Sequence, residues 1–154
     1  MKLTLKELWP VILIYAALAI ISMEASAESI EYKDLQVILE VSKEFKLQPD
    51  KLLRIAYVES RFNHNAIRQN KNGTIDVGMM QINSVHWTTT CKAFDILKLK
   101  GNVQCAAKLL SMHKLKASTD MYWIGRYSSK TPSIKFKYYQ KLQAVPPIKV
   151  VYND

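Results

Sequence analysis

An almost unbroken apolar run over residues 11–21 lies between Lys2 and Lys6 on one side and the small residues Ala25-Ser26-Ala27 on the other. A basic start, an apolar centre and a small-residue end are the three regions of a secretory signal peptide. The run is shorter than the ~20 apolar residues a membrane-spanning helix prefers. Cleavage after Ala27 is therefore expected, with membrane contact only through the signal segment (1–27). What remains, about 130 residues, suffices for one sizeable hydrophobic core but not comfortably for two.

Lys2 and Lys6 are balanced by Glu7 and Glu24, so the whole formal net charge of +9 falls on the exported part. Such a charge implies an anionic partner and sorts partners only by sign. No run of Lys and Arg exceeds two residues, so no dedicated nucleic-acid patch is marked. The only cysteines, Cys91 and Cys105, both lie in the exported part. An even count in an oxidising compartment favours a disulfide, which at this spacing contributes ~3 kcal/mol in the chain-entropy model. Two buried thiols are the alternative, because the sequence does not give the Cα separation.

Apolar residues at three- and four-residue steps predict an amphipathic helix over 31–45, through Leu35, Ile38, Leu39, Val41 and Phe45. A second helix starts near Pro49 or Asp50 and runs towards Phe62, with Glu59 near its end. Residues 63–77 are polar, and Asn72-Gly73 suits a two-residue hairpin turn. Asn83 or Ser84 caps a short helix through His86 and Trp87, and a longer one covers 103–115 with Ala106, Ala107, Leu109, Leu110 and Met112 inward. Ser118 or Thr119 starts another through Tyr127, and Thr131-Pro132 starts a last one ending near Ala144. The expectation is a mainly helical α+β domain over 28–145 with a small hairpin between helices, followed by a loosely held tail, 146–154.

Glu59 sits four residues after Ile55, three after Ala56 and seven after Leu52, on the same helical stripe as those apolar side chains. A carboxyl there is partly desolvated, and the negative end of the helix dipole is close; both raise its pKa. It is then suited to act as a general acid near neutral pH.

Glu59-Ser60-Arg61-Phe62-Asn63 is followed by the segment from Asn72 through Gly78-Met79-Met80-Gln81-Ile82 to Ser84, and further on by Trp123-Ile124-Gly125-Arg126-Tyr127. That order resembles the lytic transglycosylase and lysozyme superfamily, and most closely the small transglycosylases that accompany type IV secretion, conjugation and type III secretion machines. The resemblance covers about residues 52–139. It implies a lysozyme-like fold, a periplasmic location and cleavage of peptidoglycan glycan strands without metal or cofactor. It also implies partners in a cell-envelope secretion or conjugation complex. Glu59 corresponds to the catalytic acid that later acts as base, and Tyr127 to the tyrosine that hydrogen-bonds and orients it. Ser60, Met80 and Gln81 correspond to cleft residues that position the sugar. Gly78 would let the backbone approach the sugar closely. Ser128 departs from the Asn or His usual after that tyrosine, and Met79 from the usual Leu or Ile, a volume-conserving change.

Hydrolysis usually needs two carboxylates, and Asp76, seventeen residues beyond Glu59, is the second candidate. Its setting resembles the hairpin of c-type lysozymes, which makes a muramidase the main rival. The resemblance of the Gly-Met-Met-Gln segment and of Tyr127 favours the single-carboxylate reaction, which leaves a 1,6-anhydro end. A catalytically silent peptidoglycan-binding scaffold and a periplasmic nucleic-acid binder are further rivals. His64, His86 and His113 fall on different elements and are read as ordinary polar or core residues. Trp87, Trp123 and Tyr122 are candidates to stack on sugars, with core packing expected for at least two of them.

Overall fold

The computed structural model describes residues 28–117 and 119–152. The signal-peptide reading of 1–27 and the Ser118 cap lie outside the described residues. Helix α1 spans Tyr32–Glu44 and buries Ile38 and Val41, and α2 spans Pro49–Ser60 and buries Leu52, Ile55 and Ala56. Pro49 opens α2, where a missing N–H costs nothing, and Asp50 stands at the positive end of its dipole.

The end of α2 is abrupt. Arg61 and Phe62 both adopt left-handed backbone angles, φ 56° and 65°, at a cost of about 1–2 kcal/mol per residue for a side chain with a Cβ. Two interactions offset it. Phe62 is buried against Tyr57, and the Arg61 N–H donates to the Tyr57 carbonyl at 2.9 Å. This reversal turns the chain away immediately after Glu59-Ser60.

A three-stranded antiparallel sheet follows, β2 (Ile67–Gln69), β3 (Ile75–Val77) and β4 (Ile82–Asn83), in that spatial order. The hairpin forms where expected, but its connection is longer than a two-residue turn. Pairing ends at Gln69 with Ile75, and the Asn70 N–H reaches the Thr74 carbonyl at 2.8 Å. Gly73 alone takes a positive φ there, while the Asn72 side chain accepts from the Thr74 N–H. A 3₁₀ turn, Ser84–His86, is capped by Asn83, whose side chain accepts from the Val85 N–H.

Helix α3 spans Leu99–Lys114, four residues ahead of the expected start. Lys98 offers no side-chain cap, and Gly101 and Asn102 are weak helix formers, so no local signal marks the start. Gly101 is there for packing, since a Cβ would lie 2.2 Å from the Asp95 carbonyl oxygen. Ala106, Ala107, Leu109 and Leu110 are buried as expected, whereas Met112 is 38% exposed on the outer face. Helices α4 (Asp120–Ser128) and α5 (Pro132–Gln143) complete the domain. The core gathers α1–α5 around Ile38, Leu52, Ile55, Met79, Met80, Leu110 and Ile124. Cys91 and Cys105 form a disulfide with Cα atoms 5.1 Å apart, tying the loop before α3 to that helix.

The segment after Pro146-Pro147 is not a loose tail as far as Val151. Strand β5 (Lys149–Val151) pairs in parallel with β1 (Ser29–Glu31), and Tyr152 stacks on Tyr32 at 4.9 Å between centroids. The parallel register joins the two ends of the described chain, a non-local pairing that no local pattern announces. Among the described residues, no helix is long and apolar enough to cross a membrane.

One buried side chain fixes the turn between β3 and β4. Asn102, 1% exposed, accepts from the Met80 N–H at 2.8 Å and donates to the Val77 and Ile96 carbonyls at 2.9 and 3.0 Å. Gly78, at φ +77°, makes room for it: a Cβ there would lie 2.3 Å from Asn102 Nδ2. Asn102→Ala orphans buried backbone groups at about 1–3 kcal/mol each. We expect a loss of about 2–4 kcal/mol in denaturant unfolding; a loss below about 1 kcal/mol would contradict this role.

Candidate active site

Glu59 occupies the last turn of α2 and faces a cleft of about 830 Å³. The sheet forms one wall through Arg68, Asp76, Gln81 and Asn83; α4 and α5 form the other through Tyr127, Ile134 and Tyr138. The carboxyl is half-buried, and Tyr138 Oη donates to its Oε1 at 2.6 Å.

Burial is the largest influence on Glu59 and lifts its pKa above the ordinary value of 4.5. The Tyr138 hydrogen bond and the positive charges of Arg68 and Lys141 pull the other way, while the Asp76 charge adds to the lift. Desolvation wins, so the proton is held more tightly than on a solvated glutamate. Burial and the neighbouring Glu59 charge push the Tyr138 hydroxyl well above its usual value of 10, which keeps it a donor.

The tyrosine that orients Glu59 is thus Tyr138, not Tyr127 as the resemblance implied. Tyr127 does line the cleft, but its hydroxyl donates to the Met80 carbonyl at 2.7 Å. The physical reason lies in placement: Tyr127, near the end of α4, meets the β3–β4 turn, whereas α5 carries Tyr138 onto the carboxyl. Tyr138 was legible only indirectly. It follows Ile134 by four residues and precedes Leu142 by four, so it lies on the inward stripe of its helix.

Three other expected cleft residues have different roles. Ser60 Oγ donates to the Met79 carbonyl at 2.8 Å and does not line the cleft; it ties α2 to the turn. The Met80 side chain is fully buried in the core and cannot touch a sugar. Gly78 admits Asn102 rather than a ligand. Gln81 does line the cleft, at φ +48°, with Nε2 donating to the Ala66 and Gly78 carbonyls at 3.2 and 3.0 Å.

Asp76 faces the same cleft but is heavily engaged. Arg68, directly opposite on β2, donates to Oδ2 through Nη2 at 2.7 Å and Nε at 3.3 Å; Asn70 Nδ2 adds a bond at 3.0 Å. Asn83, opposite on β4, donates to Oδ1 at 2.6 Å. Strand register therefore places Arg68, Asp76 and Asn83 in a row on one face, and both carboxylate oxygens are engaged, Oδ2 by three donor contacts and Oδ1 by one.

The histidines are dispersed. His86 lines the cleft, and burial lowers its pKa; His113 is lowered by burial and then by Arg126, and His64 lies 3.7 Å from Asp34. Among the described residues, no three His, Cys, Asp or Glu side chains group to hold a metal ion. Trp87, Trp123 and Tyr122 do not line the cleft. Trp123 is buried, Trp87 Nε1 donates to the Ile82 carbonyl, and Tyr122 carries Lys135 over its ring.

A half-buried glutamate at a helix end, facing a groove beside a small antiparallel sheet in a mainly helical domain, defines a lysozyme-like fold. The family model for the transglycosylase SLT domain matches residues 36–128, more than half of the chain. This protein belongs to that family. It is also similar to the human (Homo sapiens) protein "Lysozyme-like protein 6", 34% identical over 71 residues covering 38% of this chain and 48% of that protein. The chain spans about half the length of this curated relative.

Because the Tyr138 hydrogen bond favours the ionised carboxyl, Tyr138→Phe is expected to raise the Glu59 titration midpoint further. Carboxyl ¹³C NMR titration of the two proteins measures it. A midpoint that falls in the variant would contradict the assigned direction.

Proposed function

We propose that this protein is a peptidoglycan lytic transglycosylase, cleaving the β-1,4 bond between N-acetylmuramic acid and N-acetylglucosamine and leaving a 1,6-anhydro end. The observation that carries this reading is the pairing of a half-dry, Tyr138-oriented Glu59 with an Asp76 that is engaged on both oxygens, Oδ2 by Arg68 and Asn70 and Oδ1 by Asn83. Both face the cleft, but Glu59 has the raised pKa, while the bonds that tie down Asp76 make it a weaker nucleophile.

Glu59 gives its proton to the glycosidic oxygen as the bond to the muramic C1 breaks. The substrate's own acetamido oxygen closes on C1 and stabilises the positive charge. The Glu59 carboxylate then takes the proton of the muramic C6 hydroxyl, whose oxygen attacks C1 and displaces the acetamido oxygen. Glu59 ends protonated, and no water is consumed. Gln81 and Tyr127 shape the wall beside the reacting sugar, Tyr127 by holding the Met80 carbonyl.

The export reading is supported by the apolar leader with its Ala25-Ser26-Ala27 end and by the Cys91–Cys105 disulfide, which belongs to an oxidising compartment such as the periplasm. Local opening of the wall for a secretion or conjugation complex rests on the resemblance to small transglycosylases of such machines. The rival muramidase reading is favoured by one observation, that Asp76 shares the cleft with Glu59.

Digestion of purified peptidoglycan by the mature chain, followed by mass analysis of the muropeptides, tests the reaction. We expect anhydro ends, lighter by one water than reducing ends, and a fall of about 10²–10⁴-fold or more in Glu59→Gln. Reducing ends would establish the muramidase instead, and an absence of cleavage would leave a binding module.

A further inference from the structure

The cleft contains more positive charge than its own carboxylates account for. Four cationic side chains line it: Arg68, Lys71, Lys137 and Lys141. Arg68 is paired with Asp76 at 2.7 Å, so its charge is answered within the protein. Among the described residues the three lysines make no salt bridge, although Lys33, Lys51 and Lys100 elsewhere each find a carboxylate within 3.0 Å. Lys71 comes from the connection between β2 and β3, and Lys137 and Lys141 from α5, so the charges approach from both walls. Lys137 and Lys141 are one helical turn apart, a like-charge spacing that weakens a helix on its own. The remaining carboxyl of the cleft, Glu59, is the group whose proton affinity is raised.

Resting on the transglycosylase reading, we propose that Lys71, Lys137 and Lys141 form a subsite for the stem-peptide carboxylates of peptidoglycan, making peptide-bearing strands the preferred substrate over peptide-free glycan. The lysines are exposed, so each remains hydrated; such a set suits peptide carboxylates that vary in position, as point charges without a fixed fork geometry. Binding and chemistry are coupled through Lys141, whose charge lowers the proton affinity of Glu59. A substrate carboxylate paired with Lys141 offsets that effect and favours the protonated acid.

Co-sedimentation of the Glu59→Gln protein with insoluble glycan measures binding apart from reaction. Three substrates separate the sources of charge: intact strands, strands whose carboxylates are converted to amides, and strands stripped of peptide, which keep only the lactyl carboxylate. At low salt we expect intact strands to bind about tenfold or more tightly than either of the others, a preference that shrinks near 0.5 M salt, where the Debye length is only ~4 Å. Adding Lys71→Gln, Lys137→Gln and Lys141→Gln should abolish the preference while leaving binding to amidated strands unchanged. A control with Lys43→Gln, Lys92→Gln and Lys149→Gln loses the same charge outside the cleft and should retain it.

Equal binding to all three substrates would overturn the proposal, as would an equal loss in both triple variants, which would assign the effect to net charge. Equal preference for stripped and intact strands over amidated ones would mean that any strand carboxylate suffices, with no selection for the stem peptide, and would overturn it too. The masses of products from the parent protein report on the transglycosylase reading separately, so its failure would not be mistaken for failure of the subsite.

Discussion

Asn102 seated against Gly78 is the contact on which the catalytic cleft depends. The turn between β3 and β4 has buried backbone groups that no strand or helix satisfies, and side chains from the surrounding helices take them up. Asn102 of α3 holds Val77 and Met80, Ser60 of α2 holds Met79, and Tyr127 of α4 holds the Met80 carbonyl. Three helices and the sheet are thereby fixed to one short segment. Ser60 follows Glu59 directly, so the same arrangement sets the depth at which the carboxyl sits in the groove.

That depth decides its chemistry. Burial raises the proton affinity of Glu59, while Tyr138, Arg68 and Lys141 oppose the rise. Burial alone would hold the proton more tightly still; the others alone would pull the carboxyl below an ordinary glutamate. The proposed cycle of acid then base needs a group between those limits. Asp76 supplies the contrast within the same groove, since side chains on neighbouring strands and the Asn70 amide engage both its oxygens in a structural role.

Helix positions were readable because their apolar faces repeat at helical spacing, and Glu59 stood out because it shares that stripe with Leu52, Ile55 and Ala56. The Asn83 cap and the Thr131-Pro132 start were local signals that survive folding. What escaped was non-local. Met80 and Ser60 look like exposed motif residues, yet one is core and the other a staple to Met79. Gly78 signals a close approach without saying whether a ligand or a side chain makes it. Tyr127 and Tyr138 are both aromatic residues on inward helical faces; their different partners are set by how α4 and α5 pack, and no residue pattern within either helix encodes that. The pairing of β5 with β1 joins chain ends too far apart in sequence for any window to connect.

The central claim is that Glu59 enters the reaction carrying a proton retained by partial burial. The pH dependence of kcat/KM for glycan cleavage tests it most directly, because that profile reports the free enzyme. With the proton affinity raised in the folded state, activity should fall with increasing pH along a limb centred above 4.5, the value of an ordinary glutamate. A profile that instead rises with pH through that limb, as expected if the ionised carboxylate were the starting form, would contradict it.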